Sequence, residues 1–212
     1  LIAFLFCGTV FFLSFLFPVL QMLYWTIIFP KNFFDLNITQ LLLNTIYLVI
    51  LTSLVLLTFS FISNYGNRVT RSRFLNILST FSITGYAIPG VILAVAFITF
   101  IAWFDNTFIK SVGLYSIKKI FIGSMIGLVV VYFIRFYSLA YNGLKSSYER
   151  INRSIDESSY LLGYSKLKTF LSIHIPYLKN SVFLIGILIS IEVIKELPIT
   201  LILRPFNFET FA

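Results

Sequence analysis

The sequence predicts an all-α, polytopic membrane helix bundle, and three observations predict it. Charged residues make up only 11% of the 212, against about 25% in soluble domains. Hydrophobic residues make up 58%, with 25 Phe and a mean hydropathy of +0.94, an apolar excess that one soluble core of this size could not hide. The charges are also spaced so as to leave five apolar stretches, each near the 20 or so residues that cross a bilayer. Disorder, collagen and disulfide scaffolds are excluded by the same arithmetic. The net charge of +8 would suggest nucleic acid in a soluble domain, but in a membrane protein it marks cytoplasmic loops, so no nucleic-acid partner is expected. Cys7 stands alone in an apolar run, which rules out an intrachain disulfide and a cysteine-based metal site and leaves a lipid-facing or packing residue.

The first span lies within Leu1–Pro30, which carries no charge; it is too long, and lacks the basic start and small-residue cleavage site, for a signal peptide. A second runs from about Ile38 to Ile62 and a third from about Leu75 to Trp103, where Pro89-Gly90 must break or kink the helix. That kink reads as a hinge or as a static bend filled by neighbours. A fourth runs from about Ile117 to Tyr141 with Arg135 near its end, and a fifth from Pro176 to Leu197, with Pro176 in the first turn and Pro198 as the stop. An odd number of spans ending on an apolar tail, and a start at Leu1, lead us to expect a fragment of a longer chain, residues 1–212 forming one transmembrane domain.

Basic residues are retained on the cytoplasmic side. The loops after spans two and four hold nine, namely Arg68, Arg71, Arg73, Lys145, Arg150, Arg153, Lys166, Lys168 and Lys179. The opposite loops hold four: Lys31, Lys110, Lys118 and Lys119. Residues 63–73 and the long 145–180 loop are therefore expected inside, and Pro198 to Ala212 outside.

The 145–180 loop is the one polar stretch large enough to hold structure. Ser154 followed by Glu157 has capping-box spacing for a helix start, and Gly163 suits the left-handed turn that closes it. A second short helix is expected from Ser165. Leu167, Phe170 and Leu171 fall at i, i+3 and i+4, an apolar stripe that either lies on the bilayer or docks a soluble partner.

At this loop the sequence resembles the permease subunits of ABC importers, whose loop reads Glu-Ala-Ala, three residues, Gly, nine residues, Ile-x-Leu-Pro. Here Glu157-Ser158-Ser159 is followed at matching spacing by Gly163 and by Ile173-His174-Ile175-Pro176. Ser replaces both Ala residues and Ile175 replaces Leu. The resemblance implies the type I importer transmembrane fold, a location in the bacterial inner membrane, and a cytoplasmic coupling loop whose helices fit a cleft on an ATPase subunit. It further implies a second permease half, an extracytoplasmic substrate-binding protein and a sixth helix beyond those seen. Gly85 to Gly90, Tyr132 to Phe136, Lys195 to Pro198 and Leu203 to Phe208 are similar to the second half of iron(III) permeases, as are Pro18 to Gln21 and Asn44-Thr45. Permeases for thiamine, sulfate or polyamines share parts of that pattern.

Glu192, Lys195 and Glu196 stand at i, i+3 and i+4 and are expected to share one helix face. About 24 Å of helix separates Pro176 from Glu192, which places them in the outer leaflet, where a Glu192–Lys195 pair takes precedence over a substrate contact. His174 has no Cys, Asp or Glu at ligand spacing and reads as an interface-packing residue, not a metal ligand. Gly143-Leu144-Lys145-Ser146 mimics only the end of a phosphate-binding loop, and no nucleophile or metal motif appears, so no catalytic residue and no cofactor is expected and ATP hydrolysis belongs to a partner. Two rivals remain: a secondary transporter or channel using the intramembrane charges, and a membrane scaffold that docks a soluble protein.

Overall fold

The computed structural model describes residues 2–29, 38–70, 73–112 and 123–211. Five helical stretches among them are long and apolar enough to cross a membrane: Ala3–Ile28, Ile38–Thr70, Gly90–Thr107, Met125–Glu149 and Lys166–Lys195. They match the five expected runs with shifted bounds. Lys31, Arg71, Lys118 and Lys119, and the expected start of span four at Ile117, lie outside the described residues. The chain divides into two compact units, Leu1–Leu41 and Leu42–Ala212.

In the first unit α1 (Ile2–Phe11) runs through a π-turn (Phe12–Leu16) into α2 (Phe17–Ile28). The π-turn has a cause: Pro18 offers no N–H to the carbonyl four residues back and its ring crowds that carbonyl, so the helix widens ahead of it. The same device recurs in the second unit, where a π-turn at Phe170–His174 precedes Pro176.

Helix α3 (Ile38–Thr70) lies in the second unit from Leu42 on and buries polar residues beside Leu48 and Leu56. Its buried residues include Thr45, Thr52, Ser60 and Asn64, while Ile46, Ile50, Leu54 and Ile62 are exposed. Small and polar residues pack between helices and large apolar ones face lipid, because lipid offers an apolar side chain as good a solvent as a core does. The charged end also differs from expectation: residues 63–70, read as loop, are helical and carry Arg68 within α3.

The third span is not one helix from Leu75 to Trp103. It consists of α4 (Arg73–Ile83), a 3₁₀ turn (Thr84–Ala87), Ile88 in extended conformation and α5 (Gly90–Val112). Proline pushes the residue before it out of the helical region, so Pro89 ends one helix and Gly90 begins another. Asp105, expected beyond the span, is 1% exposed inside α5.

Helix α6 (Met125–Glu149) forms the centre, and Ser124 caps it by accepting from the Gly127 N–H at 3.2 Å. Because it runs on to Glu149, Arg135 is an interior residue about 15 Å from the helix start, not a residue at the span's end. Gly85 lets the 3₁₀ turn touch α6, since a Cβ there would overlap the Ile134 carbonyl. Tyr132, Phe136, Leu128 and Leu144 form the core with Leu48, Leu56, Ile189 and Ile199.

Two short helices follow, α7 (Arg153–Leu161) and α8 (Lys166–Thr169), then α9 (Ile175–Lys195) and α10 (Leu197–Leu203). Pro198 does not stop the chain's helical course; it sits in the first turn of α10, where its missing N–H costs nothing. The chain then turns at Asn207, φ +61°, and its tail is tied to α3: Asn44 donates to the Glu209 carbonyl at 2.9 Å, and the Phe211 N–H donates to Thr45 Oγ1 at 3.0 Å.

Candidate functional site

Two places gather polar side chains that an apolar bundle would otherwise exclude. The first is the hairpin of α7 and α8. Its start is capped by Asn152, whose side-chain oxygen accepts from the Ser154 N–H at 3.2 Å. Ser154 is therefore not the cap, and the Ser154–Glu157 box does not form: Glu157 and Ser158 are exposed, and among the described residues the Glu157 carboxylate has no hydrogen bond or ion pair. The hairpin's end follows expectation. Gly163 has φ +81°, the Gly163 N–H donates to the Tyr160 carbonyl at 2.9 Å and the Tyr164 N–H to the Ser159 carbonyl at 3.0 Å, the two bonds of a Schellman motif. Ser165 starts α8, accepting from the Lys168 N–H at 3.3 Å.

Ser159 is buried and its hydroxyl lies 2.9 Å from the Thr169 hydroxyl, which ties α7 to α8. Only a small side chain fits that contact. The expected stripe divides. Phe170 turns inward onto Tyr65, with ring centroids 4.7 Å apart, because the π-turn that begins at Phe170 rotates it away from its neighbours. Leu167 and Leu171 stay exposed, as do Leu161 (89%) and Leu162 (77%) on α7. Ile173 is half-buried beside Leu162 and Tyr164 in a shallow recess, and Pro176 opens α9.

The hairpin is fastened to the bundle by residues the spacing did not single out. Arg68 donates through Nε to Asp156 Oδ2 at 2.6 Å, through Nη1 to the Tyr148 carbonyl at 3.1 Å, and through Nη2 to the Ile151 and Asn152 carbonyls at 3.0 and 3.2 Å. Tyr148 stands in the last turn of α6, and Ile151 and Asn152 form the link to α7, so one guanidinium both clasps that junction and pairs a carboxylate. His174, read as lacking an acidic partner, is fully buried with Nε2 3.0 Å from Asp156 Oδ1; the partner is 18 residues away and becomes near only once the hairpin folds back. Beside this fastening an open cavity of about 600 Å³ is lined by Arg68, Lys145, Arg150 and Arg153, with Glu149 the one acid among its lining residues.

The second place joins two helix breaks. Arg135 donates through Nε to Glu196 Oε2 at 3.0 Å and through Nη1 to the Ile88 carbonyl, which the Pro89 break leaves free. Glu196 sits between α9 and α10 with φ −82° and ψ 83°, outside helical geometry. Its Oε1 lies against Gly90, where any Cβ would overlap it, and so beside the N-terminus of α5, whose dipole favours negative charge. Tyr132 and Thr200 hydroxyls approach to 2.5 Å, and Thr200 bonds the Glu196 carbonyl. Glu192, Lys195 and Glu196 thus do not share a face. Glu192 and Lys195 pair on the outside at 2.7 Å, whereas Glu196 leaves the helix and turns inward. Part of a signal for this existed in the sequence: an arginine deep in an apolar run needs an acidic partner, and Glu192 and Glu196 are the acids at the end of the last apolar run.

Among the described residues no group of three or more His, Cys, Asp or Glu could hold a metal ion. The sequence profile of the binding-protein-dependent transport system inner membrane component family matches residues 62–205, a stretch that contains both places. No curated protein matches the chain. With its five apolar spans, the chain belongs to that family: it is a multi-pass inner-membrane permease component, non-catalytic, of a transporter whose ATPase and binding protein are separate subunits.

Proposed function

We propose that this chain is one permease half of an ATP-driven importer, that the α7–α8 hairpin is its ATPase-coupling element, and that its cargo is iron(III). A homologous half, in the same or another chain, completes the path. The hairpin and the basic ends of α3 and α6 lie on the cytoplasmic side in this reading. One observation carries the coupling role: four leucines, Leu161, Leu162, Leu167 and Leu171, stand exposed on a hairpin that Arg68, Asp156 and the Schellman turn hold rigidly. Exposed apolar side chains on a rigid polar element are what a docking surface requires. A loaded hairpin can then move the span it leads into.

Iron(III) rests on the resemblance of Gly85 to Gly90, Tyr132 to Phe136 and Lys195 to Phe208, the segments that build the joined helix breaks. Sulfate is the second reading, favoured by the cavity lined by four cationic side chains and one acid, which attracts anions. Uptake of radioactive iron by cells carrying the complete operon tests this directly. Loss of iron uptake on deleting the permease supports the reading; intact iron uptake with sulfate, thiamine or polyamine uptake lost rejects iron and leaves the permease. For the coupling role, Leu162→Asp should abolish co-purification of the ATPase, and normal co-purification counts against it.

A further inference from the structure

The second polar place is connected to the first by one stiff element. From Lys166 to Lys195 the chain is a continuous helical run of 30 residues that includes the π-turn at Phe170–His174, about 45 Å long, and Glu196 is the residue directly after it. A displacement of the hairpin is therefore transmitted to Glu196 with little loss, whereas a flexible linker would dissipate it.

Glu196 is held in a way that permits release. Its side chain is only 9% exposed, yet Oε1 is buried without a hydrogen-bond partner. One ion pair to Arg135 and the field of the α5 N-terminus hold the carboxylate. Arg68, by contrast, makes four bonds, one to Asp156 in the hairpin and three to the carbonyls that lead into it. Release of Glu196 also frees the Ile88 carbonyl, because the same guanidinium holds both. The break at Pro89 and the break at Glu196 are thereby made to open together.

We propose that Arg135 and Glu196 are a positioning pair for transport: their contact locks the start of α5 to the α9–α10 break in one state, and movement of the hairpin separates them in the other. The pair couples ATP hydrolysis to opening of the bundle without touching cargo. This inference rests on the importer reading.

The test uses the assembled permease–ATPase complex in proteoliposomes. Mg-ATP hydrolysis is measured with and without the cognate binding protein loaded with ferric ion. Glu196→Gln keeps the shape and removes the charge, so hydrolysis without binding protein should rise about fivefold or more and its stimulation should vanish. Arg135→Lys keeps a charge on Glu196 but cannot also hold Ile88, and should retain part of the stimulation. Gly90→Ala leaves every charge in place and drives the Glu196 carboxylate off its seat; it should uncouple like Glu196→Gln, and it decides if Glu196→Gln fails to assemble. Wild-type stimulation in an assembled Gly90→Ala complex overturns the proposal. So does loss of assembly in all three variants, which would make the pair a static strut. Absence of stimulation in the wild-type complex rejects iron(III) as cargo instead.

Discussion

Among the described residues two arginine–carboxylate pairs are largely buried in this bundle, and they differ in how completely the arginine is used. Arg68 with Asp156 fastens the hairpin, and three backbone carbonyls take the remaining donors. Arg135 with Glu196 fastens two helix breaks, with a single carbonyl as additional acceptor and one carboxylate oxygen unbonded. Both draw on one property: a guanidinium supplies several donors from one side chain to a carboxylate and to carbonyls at a helix break or junction. The saturated pair is a rivet. Under the proposal above the second pair is the one that parts, and bond count around the arginine, more than the ion pair itself, is what would separate a fixed joint from a movable one.

Breaking the rivet should have the largest effect. Arg68→Met leaves the Asp156 carboxylate without its arginine and removes three bonds to the Tyr148, Ile151 and Asn152 carbonyls, which should cost about 3–5 kcal/mol. Adding Asp156→Asn should not restore stability, because the three guanidinium–carbonyl bonds stay lost. Thermal unfolding of the purified protein, with tryptic cutting at Lys166 and Lys168 as a local probe, measures both. A double variant as stable as wild type would show that the carbonyl bonds contribute nothing.

The movable pair should behave differently in the same experiment. Arg135→Met and Glu196→Met should each cost about 3–5 kcal/mol singly, by stranding a charge among apolar groups, while the double variant should recover most of it. The residue left over, about 1 kcal/mol, is the lost bond to the Ile88 carbonyl. A double-mutant cycle compares the two pairs directly: strong coupling at 135/196 and weak coupling at 68/156 is expected. Equal coupling at both would erase the distinction between joint and rivet.

What could be read in advance followed the bilayer. Apolar run length located all five spans, since the lipid imposes that length whatever the partners are. Gly163 was legible because a positive φ needs glycine at one position, a strictly local demand. Arg135 was assigned to a helix end because its partner lies 61 residues on, and no local pattern reports such a distance. His174 was missed for the same reason, and Asp156, the residue that pairs with Arg68, has Glu157 beside it to take its place in any motif. Pro198 was read as a stop because proline ends a helix and begins one equally well; only the break at Glu196 decides between them.

A moderate effect is expected at Gly163. Valine would have to adopt φ near +81°, which costs about 1–2 kcal/mol for an L-residue with a Cβ. That is less than either ion pair, so the spans should stay folded while the hairpin loses its shape. Gly163→Val should therefore reduce ATPase co-purification and leave the unfolding temperature of the bundle close to wild type. Normal co-purification and normal transport would show that the Schellman turn is dispensable to docking.

The smallest effect separates two accounts of where α7 begins. Asn152 accepts from the Ser154 N–H, so Asn152→Ala should cost about 1 kcal/mol, the ordinary loss of an N-cap. Ser154 lies one residue inside the helix start, with its hydroxyl in none of the bonds described at that end, so Ser154→Ala should be within a few tenths of a kcal/mol of wild type, or slightly better, alanine being the stronger helix former. A capping box would reverse that order, since its hydroxyl and the Glu157 carboxylate would both be in use. Hydrogen exchange at the first-turn amides of α7 reads the two variants locally, where a global melt would lose so small a difference. Faster exchange in Ser154→Ala than in Asn152→Ala would move the cap to Ser154, and with it the point at which the hairpin is stapled to Arg68.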